Sequence, residues 1–478
     1  MYEAKPISVS QGTAYPETDQ TYLDAVLEKA LGGLKKKIVV LDDDPTGVQT
    51  VHGVYVYTKW DMETMMEAFS DTSRMFFILT NSRSMSRTET QNQHRIIAQN
   101  LAAASKATGK EYVLISRSDS TLRGHYPLET LTLKKEIEAV SEVRFDGEIL
   151  YPFFAEGGRL TIDSIHYVKE GDRLIPAGQT EFAKDKSFGY TSSYLPDWCE
   201  EKSQGQYPAQ QVIRITMEEL RRCDVDGICQ KLLELHDFHK VVVDSISYDD
   251  TKVFAAAFCM AVAQGKNFIF RSAAAITKIL GGVPDKPLLT KEELVQPGNL
   301  NGGMILIGSH VRKTTEQLEE LRRSQQSIQF LEFNQHRVLE ENGLEQETER
   351  IVKLAEEAIR AGRTTAIYTR RDRLDLDTDD KDLQLEISVH ISDAITSIVG
   401  KLSVQPSFLI AKGGITSSDV GVKALRVRRA LVMGQVRPGI PVWKTGPESK
   451  FPGMPYIIFP GNVGTINDLR MMVEALMS

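Results

Sequence analysis

The sequence predicts an α/β protein made of two α/β domains with mainly parallel sheets. Short apolar runs alternate with amphipathic stretches of helical period along most of the 478 residues. Several runs stop abruptly at polar residues followed by Gly or Pro, as strands do at the ligand-binding edge of an open parallel sheet. A segment dense in turn residues, 281–303, separates two such alternations.

In the first half, strands are expected at 38–41, 51–57, 75–79, 112–115, 148–151, 241–243 and 268–270. Helix-like segments lie between several of them, at 61–69, 87–104, 128–140 and 251–263. Strand and helix in alternation imply parallel pairing with helices on the sheet faces. Residues 157–210 break this pattern, being rich in Gly, Pro, Ser, Tyr and charge with little periodicity. They read as a long irregular segment of the kind that carries function or flexibility. The second alternation has strands at 304–307, 328–333, 365–368, 407–410 and 456–459, with helices at 314–323, 345–361, 384–401 and 465–477. The expected domains are 1–290 and 300–478, with the charged stretch 370–382 as a solvated loop. No internal repeat is evident.

Composition narrows the function. With 41% hydrophobic and 26% charged residues the chain is an ordinary globular protein. A formal charge of −8 provides no field for nucleic acid or an anionic membrane, so an anionic ligand needs a local basic pocket. No run of roughly eighteen apolar residues suggests a membrane span, and residues 1–20 lack the pattern of a secretory signal. Cys199, Cys223, Cys229 and Cys259 form no CxxC pair, which fits reduced thiols and a cytoplasmic setting. The nine histidines show no zinc spacing.

Three expected strand ends in the first domain carry chemistry: Asp42-Asp43-Asp44, then Thr80-Asn81-Ser82-Arg83-Ser84, then Ser116-Arg117-Ser118-Asp119 running to Arg123-Gly124-His125. In a parallel sheet all three lie on one edge. Carboxylates, hydroxyls and guanidinium forks together suit a small polyhydroxy acid, since Arg grips a carboxylate with two hydrogen bonds. The second domain instead offers glycine turns after apolar runs: Gly308-Ser309-His310, Lys412-Gly413-Gly414-Ile415-Thr416, and Pro460-Gly461-Asn462-Val463-Gly464. Glycine lets backbone N–H groups approach phosphate oxygens. The P-loop, the dinucleotide fingerprint and the protein-kinase signature are all missing from the sequence.

These motifs resemble those of the four-carbon acid sugar kinase family, from about residue 37 onward. Asp43-Asp44-Pro45-Thr46-Gly47 is similar to the family's Asp-Asp-Leu-Thr-Gly, and Asp119-Ser120-Thr121-Leu122-Arg123-Gly124 matches unchanged. Pro152 with Gly158-Arg159, and Glu181-Phe182-Ala183-Lys184-Asp185, resemble two further family segments. Gly308-Ser309, Gly413 to Thr416 and Gly461 to Gly464 resemble its Gly-Ser, Gly-Gly-x-Thr and Gly-Asn-x-Gly turns. Departures are Pro45 for Leu, Ile415 for Glu, and Phe459-Pro460 where relatives tend to have Lys-Ser.

The resemblance implies an N-terminal domain for a sugar acid, a C-terminal domain for ATP, and an active site in the cleft between them. It implies an ATP- and Mg²⁺-dependent kinase acting on the terminal hydroxyl of threonate, erythronate or 3-oxo-tetronate. Asp43 or Asp44 is expected to meet the attacking hydroxyl, the other to approach Mg²⁺, and Asp119 is a third candidate. Ser82, Arg83, Arg123 and Arg159 are expected to hold the sugar acid or the transferring phosphoryl group. Ser309, Gly413, Gly414, Ile415, Thr416, Gly461 and Asn462 are expected to line the ATP site. No nucleic-acid or membrane partner is expected; a homodimer is, from symmetry statistics. The alternatives are a non-catalytic protein binding sugar acid and nucleotide, and a 2-hydroxy-acid dehydrogenase, which the missing dinucleotide glycines disfavour.

Overall fold

The computed structural model describes residues 2–295, 298–372, 374, 381–461 and 463–478. The chain divides into two compact units, Met1–Val51 with Lys59–Pro284, and His52–Thr58 with Asp285–Ser478.

The first unit is built on a parallel sheet. Its strands lie in the order Ile213–Ile215, His239–Val243, Gly147–Tyr151, Phe268–Ser272, Tyr112–Arg117, Lys37–Asp42 and Met75–Leu79. Every neighbouring pair is parallel, so the chain returns between strands through crossovers. Helices Met62–Ser70, Arg87–Thr108, Leu128–Val140 and Tyr248–Ala263 serve in these connections. Burial on both faces explains why Ile38, Val39, Val40 and Leu41 are apolar without alternation. Helix Arg87–Thr108 starts at a reciprocal Ser86–Glu89 capping box and stops at Gly109, whose φ of +66° provides the left-handed cap.

Register decides where the polar strand ends fall. Asp42 sits opposite both Arg117 and Leu79, Arg117 opposite Ser272, and Ser272 opposite Tyr151. The carboxyl ends are therefore level, and the three polar clusters share one edge.

Two features depart from the expected elements. Residues 157–210 are not irregular throughout. Strands Arg159–Ile162, Ile165–Glu170 and Arg173–Pro176 form an antiparallel sheet completed by Ile7–Ser8. The turn at Asp163-Ser164 runs at φ of +52° and +64°, the left-handed twist a tight hairpin needs. The second departure concerns residues 52–58, which fall within the expected first domain. Their strand, Tyr55–Tyr57, pairs antiparallel with Arg429–Arg437 in the second unit.

The second unit carries a mixed sheet ordered Tyr55–Tyr57, Arg429–Arg437, Ile440–Thr445, Pro455–Phe459, Leu409–Lys412, Met304–Ile307, Thr364–Thr369 and Ile328–Phe333. The last five are mutually parallel. The hairpin Arg429–Arg437 to Ile440–Thr445 was not among the expected strands, though its first strand alternates strictly between buried and half-buried positions. Gly302 and Gly303 admit no side chain: a Cβ would fall 2.0 Å from the Arg363 carbonyl oxygen and 2.1 Å from the Phe408 ring, respectively. No described helix is long and apolar enough to cross a membrane.

Candidate functional site

The Lys37–Asp42 strand ends in three aspartates, and Arg83 collects the last two. Its Nε and Nη2 donate to the two oxygens of Asp43 at 3.1 and 2.6 Å, and its Nη1 lies 2.7 Å from Asp44 and 3.8 Å from Asp119. Arg83 is aimed there because the chain turns at Asn81, φ +55°, into the short helix Ser82–Ser84. Arg117, at the end of the adjacent strand, places its Nη1 3.1 Å from Asp42 and 3.4 Å from Asp43. Ser118 Oγ completes the shell of Asp43 at 2.8 Å. All three expected catalytic aspartates thus converge on one guanidinium.

Their environments differ. Asp43 is almost fully buried, whereas the Asp44 side chain keeps 20% of its exposure. Burial would raise Asp44, but Arg83, Arg117 and the Thr46 hydrogen bonds outweigh it and hold the carboxyl below its ordinary value. Asp119 follows the same balance through Arg83, Arg123 and Thr121 and also titrates below its ordinary value. Asp42 goes the other way: burial, assisted by Asp44 and Asp43 and opposed by Arg117, pushes it up to about 8. A carboxylate so deep in the strand end was noted in the sequence only as part of the triple aspartate.

The other expected ligands separate. Ser82 is fully buried and its hydroxyl donates to Glu129 at 2.6 Å, inside the protein. Arg123 is partly exposed, donates to Asp119 at 2.9 Å, and lies 3.7 Å from Asp185. Arg123 and Arg159 stack on the same ring, with guanidinium carbons 5.1 and 5.7 Å from the Phe182 centroid. Arg159 therefore joins the same edge from the antiparallel sheet.

One group went unread in the sequence. Arg271, on strand Phe268–Ser272, is buried beside this cluster. Its Nη2 donates to the Arg123 carbonyl at 2.9 Å, while Nε and Nη1 have no partner among the described residues. Burial lowers its pKa against the pull of Asp43, Glu129 and Asp119. The signal available was a charged residue continuing an apolar strand, Phe268-Ile269-Phe270-Arg271, beside strands already known to end in charge. Gly124, φ +125°, allows the fit: a Cβ there would lie 2.6 Å from Ser118 Oγ.

In the second unit the glycine turns also converge. A Cβ on Gly413, φ +125°, would lie 3.1 Å from Ser309 Cβ and 3.2 Å from Thr416 Oγ1. A Cβ on Gly461 would lie 3.2 Å from Ser309 Oγ, so Ser309, Gly413, Thr416 and Gly461 form one cluster. The Gly413 N–H is spent on the Phe459 carbonyl at 2.9 Å, which leaves Gly413 a conformational role there. At Gly414 an added Cβ meets nothing within 4 Å, and Ile415 is 63% exposed. Asn462 lies outside the described residues. Most of the charged stretch 370–382 does too, but within it Arg371 is part-buried and donates to the Ser309 carbonyl at 2.9 Å and to Thr315 Oγ1 at 2.8 Å.

Comparison with known families decides what the two units are. Residues 38–280 match the model of a sugar-binding N-terminal domain, and residues 304–469 that of a nucleotide-binding C-terminal domain. The chain belongs to the four-carbon acid sugar kinase family. The aspartate–arginine edge is thus part of its sugar-binding domain, and the Ser309–Gly461 cluster part of its nucleotide-binding domain. Two solved structures are similar across both. The Haemophilus influenzae protein HI1011, of the DUF1537 family, is 16% identical with a TM-score of 0.60, covering 92% of this chain and 100% of its own. A Salmonella typhimurium LT2 protein, provisionally named a tRNA synthase, is 15% identical with a TM-score of 0.62, covering 92% of this chain and 98% of its own. At such identities the likeness is one of fold. No curated protein matches the chain.

Proposed function

We propose that this protein is an ATP-dependent kinase that phosphorylates the terminal hydroxyl of a four-carbon acid sugar of the threonate, erythronate or 3-oxo-tetronate type. The observation that carries this reading is a buried guanidinium with open donors at the sugar-binding edge. Arg83, Arg117 and Arg123 pair there with Asp42, Asp43, Asp44, Asp119 and Asp185, whereas Arg271 keeps Nε and Nη1 without a partner among the described residues. Those open donors match the carboxylate of a sugar acid.

The unpartnered Nε and Nη1 of Arg271 suit the substrate carboxylate, because buried guanidinium N–H groups without partners are costly, and Arg159 is a second candidate on the same edge. Asp44, the most exposed of the three aspartates that Arg83 reaches, suits the acceptor hydroxyl, which it orients and from which it takes the proton. A weakly basic carboxylate suffices, since phosphoryl transfer proceeds through a loose transition state that needs alignment and charge neutralisation above all. Arg83 and Thr46 hold Asp44 in place. Ser309, Gly414, Thr416 and Gly461 suit the nucleotide phosphates, with room at Gly414 for their approach. No set of acidic, His or Cys residues among the described ones forms a metal site, and the aspartates are engaged by arginines. Mg²⁺ is expected to enter with the nucleotide, as the counter-ion of its phosphates.

The test is an ADP-release screen over C4 and C5 aldonic and keto-aldonic acids. Stimulation by a C4 acid is expected. ATP binding without stimulated ADP release by any acid would favour a non-catalytic binding protein, and NAD(P)⁺ reduction by one of them would favour a dehydrogenase.

A further inference from the structure

Lys412 ends the strand Leu409–Lys412 and is completely buried. Proteins seldom bury an ammonium without a carboxylate. Lys240, equally buried, has Glu148 at 2.5 Å. Lys37, nearly buried, places its ammonium on three carbonyls, those of Ala68, Asp71 and Ser73, at 2.7 to 3.1 Å. Lys412 has neither solution. Its Nζ donates to the Pro460 carbonyl at 2.6 Å and more weakly to that of Gly461 at 3.4 Å, and sits 3.8 Å from the centroid of Phe459, its register partner. Three N–H donors meet two acceptors among the described residues, so one donor is left over there.

Among the described residues, its surroundings supply no negative charge. The flanking strands Met304–Ile307 and Pro455–Phe459 contribute apolar residues and Tyr456, whose hydroxyl donates to the Ser417 carbonyl at 2.5 Å. From helix Arg312–Arg322 the charged group that bears on it is Lys313, of the same sign. On helix Gly414–Asp419, Asp419 is engaged by Lys423 at 3.3 Å. The carbonyl of Gly461 is shared with Thr314 Oγ1 at 3.1 Å, so the glycine turn is pinned from behind by both side chains. In a trans peptide the C=O and the following N–H point in opposite directions. Holding the Pro460 carbonyl toward Lys412 therefore turns the Gly461 N–H away from it.

We propose that Lys412 supplies the positive charge of the nucleotide's polyphosphate site, acting across the glycine turn that it holds, with the phosphates of a nucleoside triphosphate on the far side of that turn as its missing counter-anion. The inference rests on the nucleotide-binding reading above and deepens it. It has a consequence beyond affinity. Burial and Lys313 lower the pKa of Lys412 to about 7, so at pH 8 the side chain of the free protein is mostly neutral. An arriving polyanion restores the ordinary pKa, and binding takes up a proton.

The experiment is calorimetric titration of the full chain with ATP at pH 8, in Tris and in HEPES, whose ionisation heats differ. The wild type is expected to give buffer-dependent heats corresponding to proton uptake. Lys412→Met should bind ATP about tenfold or more weakly, bind adenosine unchanged, and show no uptake. Lys412→Arg, permanently charged, should retain ATP affinity without uptake. Wild-type heats that do not depend on buffer, or a Lys412→Met protein with unaltered ATP affinity, overturn the inference while leaving the nucleotide site intact. Should Lys412→Met fail to fold, the wild-type heats and the arginine variant decide. A wild type that binds no nucleotide overturns the kinase reading itself.

Discussion

Arg83 meets Asp43 as a two-point fork, Nε on Oδ2 at 3.1 Å and Nη2 on Oδ1 at 2.6 Å. The same guanidinium reaches Asp44 and Asp119, so three carboxylates depend on one side chain. Replacing it should leave them repelling one another in a buried setting. Arg83→Met is expected to lose about 3 kcal/mol or more of stability at pH 7, with part of the loss recovered at pH 4 as carboxylates take up protons. Urea unfolding at both pH values checks this; equal losses at both would argue against mutual repulsion as the cause.

Asp44→Asn keeps the shape of the acceptor for Thr46 and Arg83 but removes the charge that would meet the hydroxyl. The expected outcome is a fall in kcat of about 10²-fold or more at nearly constant KM for ATP. Asp43→Asn should act indirectly, lowering both kcat and thermal stability. Near-normal kcat in Asp44→Asn would remove that carboxylate from the reaction.

Asp42 gives a pH signature. Its folded pKa of about 8 lies above the unfolded carboxylate value near ~4. The stability this group contributes is complete below about pH 4 and is lost as pH rises toward 8, at a rate of at most about 1.4 kcal/mol per pH unit. Asp42→Asn, which does not titrate, should therefore gain on the wild type steadily between pH 4 and pH 8. Denaturation midpoints at pH 5, 6.5 and 8 measure the gap, and a constant gap contradicts the assignment. Asp44 and Asp119 run oppositely: their lowered pKa values stabilise the fold above the usual carboxylate range, and that contribution disappears on acidification.

Gly414 and Gly413 separate binding from folding. Nothing in the protein meets a Cβ at Gly414, so Gly414→Val should fold normally and yet bind ATP about tenfold or more weakly if phosphate passes there. Gly413→Ala must hold a φ of +125° and press on Ser309, and should cost about 1–3 kcal/mol of stability. Fluorescence titration with a nucleotide analogue and thermal melts distinguish the two effects. A Gly414→Val protein with intact nucleotide affinity would move the phosphate path elsewhere.

Arg271→Met removes the guanidinium whose Nε and Nη1 lack partners among the described residues. The KM for the sugar acid is expected to rise about tenfold or more, with the KM for ATP unchanged. An unchanged KM for the acid would return Arg271 to a supporting role behind Arg123.

Much of this site was legible in the sequence because parallel sheets bring strand ends to one edge. Once residues 38–41, 75–79 and 112–115 read as neighbouring strands, Asp43, Arg83 and Asp119 had to meet. Arg271 escaped notice because its strand was read as ending at Phe270, one residue short of the charge. Ser82 looked like a ligand beside Arg83, but the turn at Asn81 sends the two side chains in opposite directions, one to the aspartates and one to Glu129. Local patterns cannot reveal such a turn. The small sheet around Ile165–Glu170 was hidden for a different reason: its partner Ile7–Ser8 is distant in sequence, and pairing between distant segments leaves little periodic trace. Lys412 was read only as the residue before a glycine pair, since nothing in the sequence tells an interior lysine from a surface one.

The excursion of residues 52–58 into the second unit makes the halves of the chain covalent hostages of each other. A fragment starting near residue 285 would lack Tyr55–Tyr57 and bare the rim of Arg429–Arg437, a nine-residue strand with open main-chain donors and acceptors. Such a rim invites stacking with copies of itself. Separately expressed halves are thus poor stand-ins for the intact protein, and a gene split at the interdomain linker would need that heptapeptide grafted back before its product stayed dispersed.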